Sequence, residues 1–180
     1  MSRSIVIIFL ILSGISSQAN AESGDQYWMA KAGLSWLNKS DKPDTLKALN
    51  LTYGYGVTEG IAVELDYQQS AGGGSYSTVS GTTTEKGAYS YKLGSIGAAY
   101  RYVFYESLYF RGKLALAYGE NRRTSNLIKT DYSEVANLTG SLALGILAGD
   151  IVGSSFTVEL EYRQQSESLK SALLGFNLTF

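Results

Sequence analysis

The alternation of residue types at the carboxyl end is the feature that most restricts the fold of this chain. From residue 174 onward, large apolar residues alternate with small or polar ones. The apolar positions are Leu174, Phe176, Leu178 and Phe180, and the residues between them are Gly175, Asn177 and Thr179. A period of two indicates a β-strand whose two faces meet different surroundings. Alternation alone does not tell whether the apolar face meets a protein core or lipid.

The same period recurs along most of the chain. The earlier alternating segments are residues 27–37, 49–56, 61–68, 89–104, 108–120, 135–147 and 156–163. Together with the terminal segment 169–180 they predict eight strands. The only proline, Pro43, lies outside all of them, as expected because proline cannot donate to a strand ladder. Tyr89, Tyr91 and Leu93 have the opposite parity to Ile96, which predicts a bulge in the fourth strand.

The segments between these strands differ in length and composition. Residues 38–45 are polar and predict a loop, and Ser70 to Ala88, rich in Gly, Ser and Thr, predicts a long flexible exposed loop. Asn121 to Glu134 predicts a second polar loop. The connections near Gly60, Glu106 and Gly149 are short. Long connections at one end and short turns at the other are typical of barrels in the bacterial outer membrane.

The aromatic residues on the apolar faces of the strands indicate which face meets lipid. If the strands run alternately up and down, these residues fall into two bands, as in the aromatic girdles of a membrane barrel. One band is Trp28, Tyr53, Tyr55, Tyr102, Phe110, Phe156 and Phe180, and the other is Trp36, Tyr67, Tyr118 and Tyr162. A soluble lipocalin-like barrel would place Leu, Phe and Val inside and charges outside. The sequence therefore predicts an all-β fold, an eight-stranded antiparallel up-and-down transmembrane β-barrel.

The amino-terminal residues predict a cleaved signal peptide over residues 1–21, followed by the barrel domain over 22–180. Arg3 precedes an apolar run from Ile5 to Ile15, and Ala19-Asn20-Ala21 is a small-residue cleavage site. The apolar run is shorter than the about 20 residues that a membrane-spanning helix needs. The chain has no cysteine, which excludes disulfides, and its net charge of −1 gives no indication of nucleic-acid binding.

The carboxyl-terminal Gly175-Phe176-Asn177-Leu178-Thr179-Phe180 and segments such as residues 55–60 resemble the small eight-stranded outer-membrane barrels of Gram-negative bacteria. This group includes the OmpA transmembrane domain, OmpX and the opacity-type proteins. The resemblance covers the whole chain after the signal peptide. It implies a monomer in the cell outer membrane, in contact with lipid and lipopolysaccharide. It also implies that Phe180 belongs to the assembly signal that the barrel-assembly machinery reads.

Charged residues occur on the strand faces opposite the apolar ones. They are Lys31, Glu64, Asp66, Arg101, Arg111, Lys113, Glu159, Glu161 and Arg163. The interior of an eight-stranded barrel is just wide enough for side chains, so we expect these groups to pair in a packed lumen as a structural ion-pair network. Two functional alternatives are an acid/base pair of carboxylates and an ion path through the lumen.

The absence of histidine and cysteine limits the chemistry of the chain. It excludes Ser/His and Cys/His nucleophile systems and metal sites built from these residues. The outer-membrane hydrolases and acyltransferases that the chain might be compared with use an active-site histidine, so we expect no enzyme activity and no cofactor. The remaining metal option is calcium bound by carboxylates. The acidic loop residues available for it are Asp41, Asp44, Asp131 and Glu134.

The predicted function is a structural or cell-surface interaction role, in adhesion or envelope integrity, carried by the extracellular loops. A host or cell-surface ligand would bind there. Basic residues at the same end suit lipopolysaccharide phosphates, although an ordinary solvated loop explains them equally well. They are Lys47, Arg122, Arg123, Lys129 and Lys170. The alternative function is a narrow, porin-like channel for small solutes or ions.

The first testable prediction concerns the terminal residue Phe180. Its deletion should reduce insertion into the outer membrane of cells more than refolding in detergent, because only insertion in cells depends on the assembly machinery. Heat-modifiability gels of outer membranes from cells and of the detergent-refolded protein measure the folded fraction in each case. Unchanged insertion in cells would show that Phe180 is not part of a recognition signal.

Overall fold

The computed structural model describes residues 24–37, 44–80, 83–105, 107–125, 131–151, 154–166 and 169–180. The predicted signal peptide, residues 38–43 and Lys129 lie outside this part of the chain. The described part is almost entirely strand. The strands are β1 (Gln26–Leu37), β2 (Asp44–Thr58), β3 (Ile61–Ser70), β4 (Gly74–Ser80), β5 (Thr83–Tyr105), β6 (Leu108–Ser125), β7 (Asp131–Ile151), β8 (Ser154–Gln164) and β9 (Leu169–Thr179).

The strands form one closed antiparallel barrel. The sheet order is β3-β2-β1-β9-β8-β7-β6-β5-β4, and a further pairing between β3 and β5 closes it. β3 pairs with residues 92–100 of β5, and β4 pairs with residues 83–89 of the same strand. β3 and β4 therefore follow one another at a single position in the barrel wall. The barrel therefore has eight positions around its circumference, which confirms the predicted fold.

The two ends of the barrel differ. The first residues of β1, Phe180, and the connections β2–β3, β5–β6 and β7–β8 lie at one end, which we call the short-turn rim. Gly60 has a φ of 77° there, a left-handed conformation that glycine adopts at little cost, and it closes the β2–β3 turn. The opposite end, where β4, β5, β6 and β7 project furthest, is called the long-strand rim.

The outer surface of the barrel is apolar. Leu116, Leu138 and Leu144 are 66%, 64% and 58% exposed, although a water-soluble fold would bury such residues. Aromatic rings flank this surface at both of its ends. The ring centroids of Trp28 and Tyr53 are 5.0 Å apart toward the short-turn rim, and those of Trp36 and Tyr162 are 6.2 Å apart toward the long-strand rim. The described residues contain no helix long and apolar enough to cross a membrane.

Two of the predicted loops are wrong. Within Ser70 to Ala88, only a short bend separates β3 from β4, and β4 forms a hairpin with the start of β5. Within Asn121 to Glu134, β6 continues to Ser125 and β7 begins at Asp131. These segments gave no strand signal because they are rich in Gly, Ser, Thr and charged residues and lack the apolar alternation of the barrel wall. Threonine and paired backbone groups suffice to extend the strands.

The predicted bulge at Tyr89 to Leu93 is also wrong. The β5–β6 register runs without a shift from Gly87 to Val103, and the irregularity follows at the next residues. Tyr91 and Leu93 are buried and share the inward parity of Arg101. These apolar side chains face the lumen, so at this point of the sequence the apolar residues change from the outward to the inward positions of the strand.

The second prediction tests the lipid-facing surface. Leu114 lies midway along the outward row of β6 between Phe110 and Tyr118, so Leu114→Arg should lower the free energy of unfolding in lipid vesicles by about 2–4 kcal/mol. Glu120→Arg on the same outward row, beyond the Tyr118 level, is the matched control and should change it by about 1 kcal/mol or less. Equal small effects at both sites would contradict a lipid-facing position for Leu114.

Candidate functional site

Charged side chains from several strands lie in the lumen of the barrel. All nine charged residues singled out in the sequence point inward, and none is more than 8% exposed. Their positions follow from strand parity, because inward residues alternate with the lipid-facing ones. The candidate site is therefore the interior of the barrel, and its chemistry depends on how these charges are arranged.

Arg111 on β6 lies at the centre of the arrangement. Its Nη1 donates to both carboxylate oxygens of Glu64 at 2.9 Å. Its Nε and Nη2 donate to the two oxygens of Glu159 at 2.9 and 2.6 Å, and Nη2 also donates to Glu161 at 3.0 Å. One guanidinium thus contacts carboxylates from β3 and β8, and bidentate contacts of this type are the strongest and most directional ion pairs.

Three further cations link the remaining carboxylates. Lys31 joins Glu159, at 2.7 Å, to Glu161. Lys113 contacts Glu64 at 2.9 Å and also Asp66. Arg163 joins Asp66 and Glu161, at 3.2 and 2.8 Å.

These contacts close into a ring of alternating charge, which we call the charge ring. Followed around, its members are Glu64, Lys113, Asp66, Arg163, Glu161, Lys31, Glu159 and Arg111. Every carboxylate has at least two cationic partners. The members come from β1, β3, β6 and β8, which are alternate positions around the barrel wall.

Small residues on the intervening strands make room for the charge ring. Gly175 on β9 lies opposite Lys31, and a Cβ there would be 2.2 Å from the lysine Cγ. Gly97 on β5 lies opposite Glu64, and Ala143 on β7 lies opposite both Arg111 and Glu161. Long and short inward residues thus alternate around the circumference, as a filled small barrel requires.

An apolar layer covers the charge ring toward the long-strand rim. It consists of Leu46, Tyr91, Leu93 and Leu169, with Tyr89 packed against it. The Tyr91 hydroxyl hydrogen-bonds with Ser35 at 2.6 Å and accepts from the Gln68 amide at 2.9 Å. The hydroxyl and amide groups thus form a neutral polar level between the apolar layer and the charges.

Two tyrosines lie on the other side of the charge ring, toward the short-turn rim. The Tyr27 hydroxyl donates to Glu64 at 2.6 Å, and the Tyr109 hydroxyl donates to Glu159 at 3.2 Å. Each ring lies over the glycine paired with it, since a Cβ on Gly54 or Gly145 would be 2.0 Å from the tyrosine Cζ. The sequence interpretation missed both tyrosines. Their parity, which they share with the charged residues of their own strands, is the signal that could have identified them.

Arg101 stands apart from the charge ring. Its guanidinium carbon lies 4.7 Å from the centroid of the Tyr109 ring and 5.6 Å from that of Tyr27. No carboxylate of the described residues forms an ion pair with it, and its buried Nη2 has no hydrogen-bond partner. The structure thus brings eight of the nine charged residues together and leaves the ninth between two aromatic rings.

The remaining predicted residues lie at the rims. Phe180 is half exposed at the short-turn rim, and its backbone exchanges hydrogen bonds of 2.9 and 3.1 Å with Gln26. Among the acidic residues considered for calcium, Asp41 is outside the described residues and Glu134 is exposed. The described residues contain no group of three or more acidic side chains positioned to hold a metal ion.

The family comparison identifies what kind of barrel this is. The model of the outer membrane protein beta-barrel domain matches residues 7–178. The chain belongs to this family. It is an integral protein of the outer membrane, as predicted, and the short-turn rim is its periplasmic end, since outer-membrane barrels have short periplasmic turns. No curated protein sequence matches the chain significantly.

Solved structures share the fold at low sequence identity. Ail, the attachment invasion locus protein of Yersinia pestis, is 16% identical with a TM-score of 0.57, over 88% of this chain and 99% of Ail. The amino-terminal barrel of Pseudomonas aeruginosa OprF is 15% identical with a TM-score of 0.57, over 88% and 98%. Neisserial surface protein A is 10% identical with a TM-score of 0.59, over 87% and 97%. At these identities the similarity concerns the fold alone.

The third prediction tests the charge ring. Arg111→Met leaves Glu64, Glu159 and Glu161 without their shared cation, and it should lower the free energy of unfolding by about 3–5 kcal/mol, as expected when a buried ion pair loses one partner. Arg101→Met is the matched control on the neighbouring strand, because it removes the same charge without breaking an ion pair. Urea unfolding in detergent micelles measures both. Equal losses for the two variants would contradict a special role for the charge ring.

Proposed function

We propose that the protein is a non-enzymatic outer-membrane anchor that presents a sheet to binding partners at the cell surface. The observation that carries the proposal is the continuation of four strands above the closed barrel. The barrel wall closes no higher than the pairs Gln69–Lys92 and Gly140–Gln164. Beyond them, the pairings of β4 with β5, β5 with β6 and β6 with β7 continue, and they form a four-stranded sheet that we call the surface sheet.

The surface sheet has two open edges. β4 pairs only with β5 within the described residues, and residues 131–139 of β7 pair only with β6. The backbone groups along such an edge can pair with an extended segment of another protein, which would bind as an added strand. This supports a protein partner bound mainly through its backbone.

Basic residues near the base of the surface sheet suit a second contact. Lys92 and Arg122 are exposed there, just beyond the level of Tyr118, and Lys47 is exposed on β2 beside the bend that leads into β4. We propose that they contact lipopolysaccharide phosphates, since charge-assisted hydrogen bonds to phosphate are strong. A structure of Ail contains the heparin analogue sucrose octasulfate, a polyanion, which supports anion contacts on a barrel of this shape.

The other roles that we propose concern biogenesis and transport. Residues 1–21 act as the cleaved export signal, Phe180 is read by the barrel-assembly machinery, and the mature protein is a monomer. The charge ring and the apolar layer favour a structural lumen over a channel, because side chains of every second strand meet at its centre.

The fourth prediction tests the surface sheet. Replacing residues 74–89 by an Asn-Gly turn removes the β4 edge and leaves the β7 edge, whereas replacing residues 122–132 shortens the β6–β7 hairpin. Each single variant should insert normally and lose part of the binding that cells expressing the wild type show toward host cells or matrix proteins, and the variant with both replacements should lose most of it. Flow cytometry measures surface amount and binding together. Full binding by a variant lacking both hairpins would contradict the proposal.

A further inference from the structure

Within the described part of the chain, Arg101 is a buried cation without a counter-ion. It is 8% exposed, and its Nη2 has no hydrogen-bond partner. The faces of Tyr27 and Tyr109 attract its charge but offer no lone pair in the plane of the guanidinium. A buried polar group without a partner is costly, and a charged one more so.

The charge balance of the lumen also indicates that a negative partner for Arg101 is missing from the described residues. The nine buried charged residues described above are five cations and four carboxylates, and the charge ring uses all four carboxylates with four of the cations. One positive charge is left over, and it is the one on Arg101. Arg101 also lies directly opposite Arg111 in the β5–β6 register, so two like charges are neighbours there. A single negative charge beside Arg101 would balance this remaining charge.

The structure contains a space for such a charge. A small pocket with about 10 Å³ of free space, room for about one water molecule, is lined by Tyr27, Gly60, Ala62, Ala99, Arg101 and Arg111. Gly60 belongs to the β2–β3 turn, so the pocket lies at the short-turn rim and is accessible from the periplasm. Gly60, Ala62 and Ala99 are small, and their side chains leave the space open. The Tyr27 ring restricts its size.

We propose that this pocket binds one small monovalent inorganic anion, such as chloride, on the guanidinium of Arg101. The anion completes the neutralisation of the lumen and stabilises the folded barrel. The pocket does not accommodate bulky anions, because its free space is about that of one water molecule. The inference is independent of the proposed role of the surface sheet, which lies at the opposite end of the barrel.

Thermal unfolding of the refolded full chain in detergent tests the proposal. The ionic strength is kept constant while sodium chloride replaces sodium gluconate. A ligand that binds only the folded state raises Tm as its concentration increases above Kd. The wild type should therefore show a saturable rise in Tm with chloride, and sulfate should not reproduce it. Equal Tm values in chloride and gluconate, or the same rise with every anion, would overturn the proposal.

Two variants identify the site. Arg101→Met removes the cation, and Ala62→Leu fills the pocket while Arg101 stays, so both should lose the rise with chloride. A rise retained in Arg101→Met would overturn the proposal. If neither variant refolds, bromide replaces chloride in crystals of the wild type. An anomalous peak within hydrogen-bond distance of the Arg101 guanidinium would support the site, and the absence of a peak in the pocket would overturn it.

Discussion

The charge ring is the interaction on which the rest of the structure depends. Its eight ionised side chains lie in a lumen from which bulk water is excluded, and each alone would be costly to bury there. Each becomes tolerable because it contacts two or more partners of opposite charge, at least one of them on another strand, as Lys31 contacts Glu159 and Glu161. The ring joins strands that are not neighbours in the wall. It therefore adds cross-lumen contacts to a sheet whose backbone hydrogen bonds run only around the circumference.

The outer face of the barrel presents apolar side chains to lipid, and the lumen holds the polar ones. Lipid solvates the outward leucines and aromatic rings, so these residues need no protein partner, and the backbone groups are satisfied by closure of the sheet. The lumen holds the polar groups that a soluble protein would expose. Its apolar layer around Tyr91 and Leu93 lies at the long-strand rim and covers the charge ring on the side of the cell surface. The charges are thus accessible chiefly from the periplasmic end, where Arg101 lies.

The sequence predicts the wall of this barrel better than its contents. Alternation assigned Leu174 and Glu159 to opposite faces because lipid and lumen are different surroundings. It could not pair Lys31 with Glu159, since that contact depends on the register of strands far apart in the chain. The surface sheet escaped prediction for a related reason. It lies beyond the closed wall that lipid surrounds, so segments such as Gly74–Ser80 need no apolar alternation to be strands.

The most direct test of the closed, ion-paired lumen is the conductance of the purified wild-type protein in planar lipid bilayers. We expect a membrane current indistinguishable from that of bilayers without protein, since long side chains from β1, β3, β6 and β8 meet across the lumen. A stable, ion-selective current that Arg111→Ala alters without any loss of thermal stability would contradict it. Such a result would establish the lumen as a channel.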